Sequence, residues 1–371
     1  MNKRTNLSDK IIDFIMKSII PIILAVILLT GGKNSIENLI KTSLYIVNPE
    51  EFFEIKNNDK TEDIVIDMKE ENIKAESAYS EIVFSEIESE IPEDVRKLIE
   101  KAEKEYENSS NDGEIISLDY SKQNATAKFN EIYLRNTTLN QNVNIEEYLN
   151  KKVQISIIKD KPSVLIYHTH TTETYEILER NFYTNSRSTR SMNSQENMVR
   201  IGEEICKILE ENGYKTIHDK TIYDEKVSGA YDRSRENISK ILKDNPSIQV
   251  ALDVHRDSIY QKDGSRIKTV AEVNGRKVAQ IMIISGCEDG NVTNFPNWKK
   301  NLTFALGLQE KLAYDNKNLM RPLMFCSRKY NMDLIPCALS IEIGTDANTI
   351  TEAVYSAQLF ANSLSDFLEE Y

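Results

Sequence analysis

The stretch that decides the fold is VLIYHTHTTETY, from Val164 to Tyr175. Its short apolar run, Val164–Tyr167, is bounded by polar residues and predicts a buried β-strand. Two histidines, His168 and His170, follow directly, and Glu173 comes three residues after the second. Ligands of open α/β sheets bind beyond the carboxyl ends of the strands. The stretch therefore predicts a strand that delivers imidazole and carboxylate groups to a binding edge.

Two further strand-like runs end in the same kind of residue. IQVALDVHRD leads into His255, and ALSIEI carries Glu342 near its end. The chain has four histidines, and only His218 lies outside this pattern, at the expected surface end of a short strand. Each motif alone is also typical of ordinary polar or buried side chains. Together they favour an open shell of imidazole and carboxylate ligands for a catalytic zinc, with a further carboxylate to transfer protons.

Charge is unevenly distributed along the 371 residues. The net charge is −13, and the segment from Glu51 to Tyr120 alone contains 22 acidic and 8 basic residues. The remainder is close to neutral, which excludes the concentrated basic face that nucleic-acid binding needs. The four cysteines include no C-x-x-C pair, so a thiolate zinc site is not expected and buried free thiols are.

The N-terminal 30 residues predict a membrane anchor. A basic stub is followed by a largely apolar segment, Ile11–Thr30, of the length that a transmembrane helix needs. The positive-inside rule places the N-terminus in the cytoplasm and the rest of this single-pass protein outside. A cleaved signal peptide is the alternative, but no clear A-x-A site follows the apolar run. Residues 31–124 predict an acidic, largely flexible tether, with one helix expected over Pro92–Tyr106.

Residues 125–371 predict one folded domain. Strand-like runs alternate with amphipathic segments, which indicates an α/β fold with a mixed sheet flanked by helices. Asn274-Gly275 between two alternating runs predicts a β-hairpin. The expected helices are Gln195–Asn212, Asp232–Leu242, Asn297–Tyr314 and Thr349–Tyr371.

Three long motifs resemble one family. HTHTTETY, AYDRSREN with NPSIQVALDVHRD, and SIEIGTDANT are similar to stage II sporulation protein P over roughly Ile132 to Phe367. The resemblance implies the zinc amidase fold and a zinc-dependent N-acetylmuramoyl-L-alanine amidase, with a further endopeptidase activity on peptide cross-links. It also implies action on peptidoglycan in the septal or intermembrane space during engulfment. The implied partners are stage II sporulation proteins D and M.

The resemblance also implies a set of zinc ligands. Aligned on the amidase motif, His170 is the first histidine ligand, and His168 is its neighbour or a substitute for it. His255 is the second histidine ligand. The carboxylate ligand is Glu173 if it lies within the motif, or Glu196 if it opens the first helix as in the amidases.

The remaining assignments concern the chemistry. By resemblance, Glu342 is the catalytic glutamate that moves the proton. Arg256 is expected to hold a substrate carboxylate or an oxyanion, or else to pair with Asp253 or Asp257. A wall-binding or partner-binding scaffold without activity is the alternative function. A polysaccharide deacetylase would need an Asp-Asp pair at a strand end, which the sequence does not offer.

Overall fold

The structure is a computed structural model, and it describes residues 91–151, 153, 155–158 and 160–370. The predicted anchor, Ile11–Thr30, and most of the predicted tether lie outside these residues. Among the residues that are described, no helix combines the length and the apolar character needed to cross a membrane.

The described chain contains six helices and twelve strands. In chain order they are α1 (Glu93–Glu105), β1 (Gly113–Leu118), β2 (Ala127–Phe129), β3 (Ile132–Asn136), α2 (Ile145–Leu149), β4 (Pro162–Tyr167), β5 (Phe182–Tyr183), α3 (Met198–Glu211), β6 (Lys215–His218), α4 (Ala230–Asp244), β7 (Val250–Asp257), β8 (Arg266–Val273), β9 (Arg276–Ala279), β10 (Ile281–Gly286), α5 (Trp298–Asp315), β11 (Leu323–Cys326), β12 (Ala338–Thr345) and α6 (Ile350–Glu369).

Eight strands form the main sheet, in the order β2-β3-β11-β10-β12-β7-β4-β6. Strands β6, β4, β7 and β12 are parallel to one another, whereas β10 is antiparallel to β12 and parallel to β11. A smaller sheet has the order β5-β1-β8-β9. The prediction of a mixed α/β fold is confirmed.

The central strands are closed on both faces. In β4, every side chain from Val164 to Tyr167 is at most 1% exposed, which is the pattern of parallel strands covered on both sides. Helices α3 and α6 pack against each other, and α5 lies against β10. This packing fixes the positions of the strand ends, from which the candidate site is built.

The folded part begins earlier than the predicted boundary at Ala125. Strand β1 pairs in parallel with β8, with Ile115 opposite Arg266. Helix α1 buries Val95 and Ala102, and it confirms the helix expected over Pro92–Tyr106. The acidic composition of this segment hides its short apolar alternation, so composition places the boundary too late. Residues 93–118 therefore belong to the domain.

The local signals for helices and turns are confirmed. The four expected helices appear as α3 to α6, with ends within three residues of the predictions. Asn274 and Gly275 have φ values of 53° and 75°, which the two-residue turn between β8 and β9 requires. Thr349 and Glu352 form a capping box that starts α6.

Candidate metal and active site

The three predicted strand ends meet at one edge of the main sheet. Strand β7 lies between β4 and β12, with Asp253 opposite Tyr167 and His255 opposite Glu342. Residues opposite each other in paired strands project to the same face. His255 and Glu342 therefore share a face, and His170 lies just beyond the end of β4.

His170, Glu173 and His255 lie in contact. The ring centroids of the two histidines are 5.3 Å apart, and His255 Nδ1 is 3.5 Å from Glu173 Oε2. Two ligands of one tetrahedral zinc lie about 3.4 Å apart, given metal–ligand bonds of about 2.0–2.2 Å. The Nδ1 atom of His170 is buried without a hydrogen-bond partner, 3.9 Å from Asp224 Oδ2. The spacing between His255 and Glu173 thus suits a shared ion.

The charges of these three groups differ because their neighbours differ. Burial would raise the pKa of Glu173, but Arg256 and His255 outweigh it and hold that pKa well below its usual range. Burial lowers the pKa of His170, which keeps its imidazole neutral. Burial also opposes charge on His255, but Asp253 and Glu173 raise its pKa well above the usual value. A metal bound here would displace the His255 proton.

Glu342 is suited to carry a proton. Its side chain retains some solvent exposure, but its Oε2 atom is buried and has no hydrogen-bond partner. Burial, supported by the negative charges of Asp257 and Glu173, raises the pKa of Glu342 to about 8 in spite of His255. A carboxyl group with such a pKa can both accept and return a proton near neutral pH.

His168 lies away from the other site histidines. Its Nδ1 atom is 2.8 Å from the carbonyl of Val254, and its Nε2 atom is 2.9 Å from Nε2 of His218. Because a carbonyl only accepts, His168 donates through Nδ1 and accepts from His218 through Nε2. Both ring nitrogens of His168 are therefore engaged. The expectation that His218 is a simple surface residue is wrong, because this bond holds it half-buried.

The alternative carboxylate, Glu196, also has partners of its own. It accepts a hydrogen bond from Ser191 and pairs with Arg187 at 3.3 Å. Glu173, in contrast, lies beside His255 and Arg256. The structure brings Glu173 to the histidines and holds Glu196 on the loop before α3. The choice between them as metal ligand stays a prediction.

Arg256 points away from the face that carries His255. Its guanidinium donates to the carbonyls of Thr174 and Thr189, at 2.9 and 2.8 Å, and lies 3.8 Å from Glu173 Oε1. These contacts hold the loop that follows β4. The pairing expected with Asp253 or Asp257 is replaced by the contact with Glu173, because adjacent residues of a strand face opposite sides.

The histidine and glutamate side chains of the candidate site meet some of the requirements of a zinc site, but not all of them. Neutral imidazole and ionised carboxylate are zinc ligands, and one pair has a suitable spacing. His170 Nδ1 and Glu342 Oε2 are buried polar atoms that lack hydrogen-bond partners. Within the described residues, however, no three His, Cys, Asp or Glu side chains surround a common point as a metal ion requires.

Comparison with known proteins identifies the family. The family model for stage II sporulation protein P matches residues 38–365, which is most of the chain. The chain belongs to this family. A curated member, stage II sporulation protein P of Bacillus subtilis (strain 168), is 27% identical over 223 residues. That match covers 57% of this chain and 51% of the relative, so the chain spans about half the length of the relative it matches.

Several solved amidase structures align with this chain at low similarity. The CwlD amidase of Clostridioides difficile, solved with the GerS lipoprotein, gives a TM-score of 0.37 at 12% identity, covering 56% of this chain and 100% of that one. N-acetylmuramoyl-L-alanine amidase AmiC2 of Nostoc punctiforme gives 0.33 at 10%, covering 56% and 96%. The catalytic domain of CwlV from Bacillus (Paenibacillus) polymyxa var. colistinus gives 0.32 at 12%, covering 56% and 97%.

Sequence reasoning did not find two acidic residues of this family member's site. Asp253 accepts hydrogen bonds from the Thr169 backbone and hydroxyl, and its Oδ1 lies 2.7 Å from His255 Nε2, off the N–H direction. Asp253 is two residues before His255, so strand alternation could have predicted that these two side chains share a face. Asp224 pairs with Arg190 in a loop after β6, and no sequence pattern indicates that contact.

Two tyrosines were missed as well. Tyr231 lies edge-on to His170 at 5.6 Å and stacks on Tyr330 at 4.9 Å. Tyr330 has a φ of 42°, in the left-handed region that favours glycine. The two stacked tyrosine rings thus lie next to His170.

Proposed function

We propose that this chain is a zinc-dependent cell-wall hydrolase. Its substrate is the amide bond between the lactyl group of N-acetylmuramic acid and the first L-alanine of peptidoglycan. Membership of the stage II sporulation protein P family supports a role in sporulation. Cutting of peptide cross-links is a second activity that this proposal includes.

One observation carries the proposal. The ends of β4, β7 and β12 bring two histidines, Glu173 and Glu342 to one edge, with unsatisfied buried atoms on His170 and Glu342. Buried polar atoms are seldom left without partners, so each such atom needs an explanation. A metal ion and a substrate would supply the partners that the described residues lack.

The zinc ligands in this proposal are His170, Glu173 and His255. A bound Zn²⁺ would polarise the amide carbonyl and acidify a water molecule. Two neighbouring residues would support these ligands. Asp253 contacts the ring of His255. The carbonyl of Val254 accepts a hydrogen bond from His168, which keeps His168 away from the proposed metal. Arg256, 3.8 Å from Glu173, favours its ionised form, and Arg190 contacts the same carboxylate at 3.7 Å.

Glu342 moves the proton in this mechanism. As a carboxylate it would accept a proton from the attacking water, and as the acid it would return that proton to the departing amine of alanine. Both forms are accessible near neutral pH because the pKa of Glu342 is raised to about 8. Its place opposite His255 puts this transfer beside the proposed metal ligands.

The direct test uses the purified full chain and purified peptidoglycan, with zinc or with a chelator. Products are identified by mass spectrometry. Zinc-dependent release of stem peptides with a free N-terminal alanine is the expected result. Absence of release with added zinc, on both intact and pre-cut glycan strands, would overturn the proposal. Cleavage between stem residues would reveal the endopeptidase activity separately.

A scaffold without activity is the second candidate. It is favoured by the incomplete convergence of donor atoms in the described residues and by the contact of His255 with Asp253. As a scaffold, the chain would bind the cell wall or partner proteins through the same fold, without hydrolysing a substrate. Co-sedimentation with peptidoglycan, without product release and without zinc uptake, is the result that this candidate predicts.

The cellular setting is part of the proposal. The apolar segment Ile11–Thr30 would anchor the chain in the membrane with its N-terminus in the cytoplasm. The acidic segment after it would place the hydrolase on the extracytoplasmic side, in the septal space. Stage II sporulation proteins D and M are the proposed partners. Alkaline extraction of membranes and pull-down with tagged D and M proteins test these two points.

A further inference from the structure

One buried carboxylate close to the candidate site has no role in the chemistry proposed above. Asp224 lies in the loop between β6 and α4, residues 219–229, and its side chain is fully buried. A buried carboxylate is costly unless charged or hydrogen-bonding partners compensate it. The partners of Asp224 therefore indicate what this residue does.

Both oxygens of Asp224 are bound to the segment that carries two of the proposed zinc ligands. This ligand segment, residues 170–173, begins with His170 and ends with Glu173. The backbone N–H of Thr172 donates to Oδ1 of Asp224 at 3.0 Å, and the hydroxyl of Thr172 donates to Oδ2 at 2.7 Å. Asp224 therefore holds the ligand segment at a residue that lies between the two proposed ligands.

Asp224 acts on the ligand segment without a hydrogen bond to the ring of His170. Its Oδ2 atom is 3.9 Å from Nδ1 of His170, which is longer than a hydrogen bond. Nδ1 of His170 is buried and has no hydrogen-bond partner. Asp224 therefore fixes the backbone close to His170 and leaves this nitrogen available to a ligand.

Arg190 connects Asp224 to the other end of the ligand segment. Its backbone pairs with Glu173 in an antiparallel bridge, and its Nη1 atom donates to Oδ2 of Asp224. Its Nη2 atom is 3.7 Å from Oε1 of Glu173. The second oxygen of Glu173, Oε2, lies 3.5 Å from Nδ1 of His255. Oε1 thus faces Arg190, and Oε2 faces the histidine.

We propose that Asp224 is a positioning residue for the candidate metal site. Through Thr172 and Arg190 it holds the ligand segment, so that both proposed ligands of this segment lie beside His255. Asp224 itself contacts neither metal nor substrate, because both of its oxygens already accept hydrogen bonds from the protein. This inference rests on the proposed zinc-dependent function.

The test compares Asp224→Asn with a matched change at another buried aspartate. The full chain is purified as wild type, Asp224→Asn and Asp289→Asn. Asp289 lies between β10 and α5, is 6% exposed and, like Asp224, accepts hydrogen bonds from backbone N–H groups and a hydroxyl of other loops. Its donors lie outside the candidate site and belong to Leu139, Asn140 and Ser327.

Metal binding is measured in two ways, by competition with a zinc-binding dye and by visible absorption of the protein loaded with Co²⁺. We expect Asp224→Asn to weaken zinc binding about tenfold or more, the scale at which residues that orient metal ligands act. Its Co²⁺ absorption should differ from that of the wild type, because the arrangement of the ligands changes. Asp289→Asn should lower the melting temperature, yet leave zinc affinity within about twofold and the Co²⁺ absorption unchanged.

A second variant, Thr172→Val, tests whether Asp224 acts through the ligand segment. It removes the hydroxyl that donates to Asp224 and keeps the branched shape of the side chain. Because the backbone hydrogen bond of Thr172 remains, the loss of zinc affinity should be smaller than in Asp224→Asn, about threefold. If Asp224→Asn does not fold, Thr172→Val decides, and wild-type affinity in this variant overturns the inference.

Two results with folded Asp224→Asn would also overturn the inference. One is zinc affinity within about twofold of the wild type together with wild-type Co²⁺ absorption. The other is an equal loss of zinc affinity in Asp289→Asn, because the effect would then follow from lost stability alone. Uptake of neither ion by the wild type would instead contradict the proposed function, on which the inference rests.

Discussion

The four histidines form two pairs with opposite environments, and the first members of the pairs, His168 and His170, are two residues apart in the sequence. His168 and His218 bond to each other, with His168 also bonded to a backbone carbonyl, under the backbone of α3. His170 and His255 lie with their rings 5.3 Å apart, and each has a buried nitrogen without a hydrogen-bond partner. All the hydrogen bonds of His168 are made within the protein, whereas each histidine of the second pair keeps one nitrogen without a hydrogen bond.

The difference predicts that His168 and His218 are structural and that His170 and His255 bind a ligand. A buried imidazole with both nitrogens satisfied stabilises the fold and has nothing left to bind a ligand with. An imidazole that keeps a nitrogen without a hydrogen bond, as His170 and His255 both do, has capacity for a metal ion. Strand alternation would put His168 and His170, two residues apart, on one face, but β4 ends at Tyr167 and the turn that follows it separates the two side chains.

The largest effect should come from His170→Ala. Under the proposed mechanism this change removes a zinc ligand, so it should abolish zinc uptake and reduce hydrolysis by at least about a thousandfold, because the metal would activate the water and the carbonyl. The melting temperature should stay close to that of the wild type, since Nδ1 of His170 has no hydrogen bond to lose. Zinc content by mass spectrometry and thermal unfolding check this.

His168→Ala is the matched variant, and it should show the reverse. Its melting temperature should fall clearly because two buried hydrogen bonds are lost. Folded protein should still bind zinc. Loss of zinc by this variant at a temperature where it is folded would reverse the assignment of the two pairs.

The second effect distinguishes the two candidate carboxylates. Glu173→Gln should weaken zinc binding by about a hundredfold or more, because Glu173 lies beside His255. Glu196→Gln should leave zinc affinity within about twofold of the wild type, because its contacts are to Ser191 and Arg187. Competition with a zinc-binding dye measures both, and the opposite ranking would make Glu196 the ligand.

A third, smaller effect should come from Gly202→Ala. A Cβ atom at this position of α3 would lie 2.4 Å from His218 Nε2 and 2.5 Å from His168 Nε2. Overpacking of this kind costs about 1–3 kcal/mol of the free energy of unfolding. Denaturant unfolding of Gly202→Ala should show this loss, and the added change His218→Ala should relieve part of it. No loss in the single variant would mean that the pair is loosely packed.

Much of the fold followed from local patterns in the sequence. Periodicity located α3, α5 and α6, and Asn274-Gly275 located a hairpin, because these signals depend on short-range sterics and burial. The start of the domain was missed because β1 forms through pairing with two strands distant in the sequence, β5 and β8. Strand pairing across 150 residues leaves no local signature in an acidic segment.

The residues of the candidate site also fall into two groups, those that local sequence patterns indicate and those that depend on distant contacts. The position of His170, His255 and Glu342 at one edge of the sheet was predictable because each is at or near the end of an apolar run. The His168–His218 bond and the contact of Asp224 with Arg190 join loops and strands from different parts of the chain. Such contacts depend on side-chain orientation after folding, which residue type and spacing do not specify.

The smallest predicted effect is a dependence of stability on pH. Burial lowers the pKa of His168 to about 4 and that of His218 to about 2, compared with about 6.5 in an unfolded chain. The unfolded chain therefore takes up protons first, and the free energy of unfolding should fall as pH drops below about 6.5.

The pH effect is measured by unfolding at pH 7.5, 6.5 and 5.5, with His218→Gln as the control. Because one of the two depressed pKa values is removed, this variant should lose stability less steeply than the wild type. Identical slopes for the two proteins would show that the buried pair does not control the acid response.

The most direct measurement of the central claim is hydrolysis by Glu342→Gln, with zinc content determined on the same sample. The substitution keeps the shape of the side chain but removes its ability to accept and return a proton. We expect full zinc content and a loss of stem-peptide release by at least about a hundredfold, the scale of positioned acid–base catalysis. Release at the wild-type rate by the zinc-loaded variant would contradict the account, because Glu342 would then have no part in the chemistry.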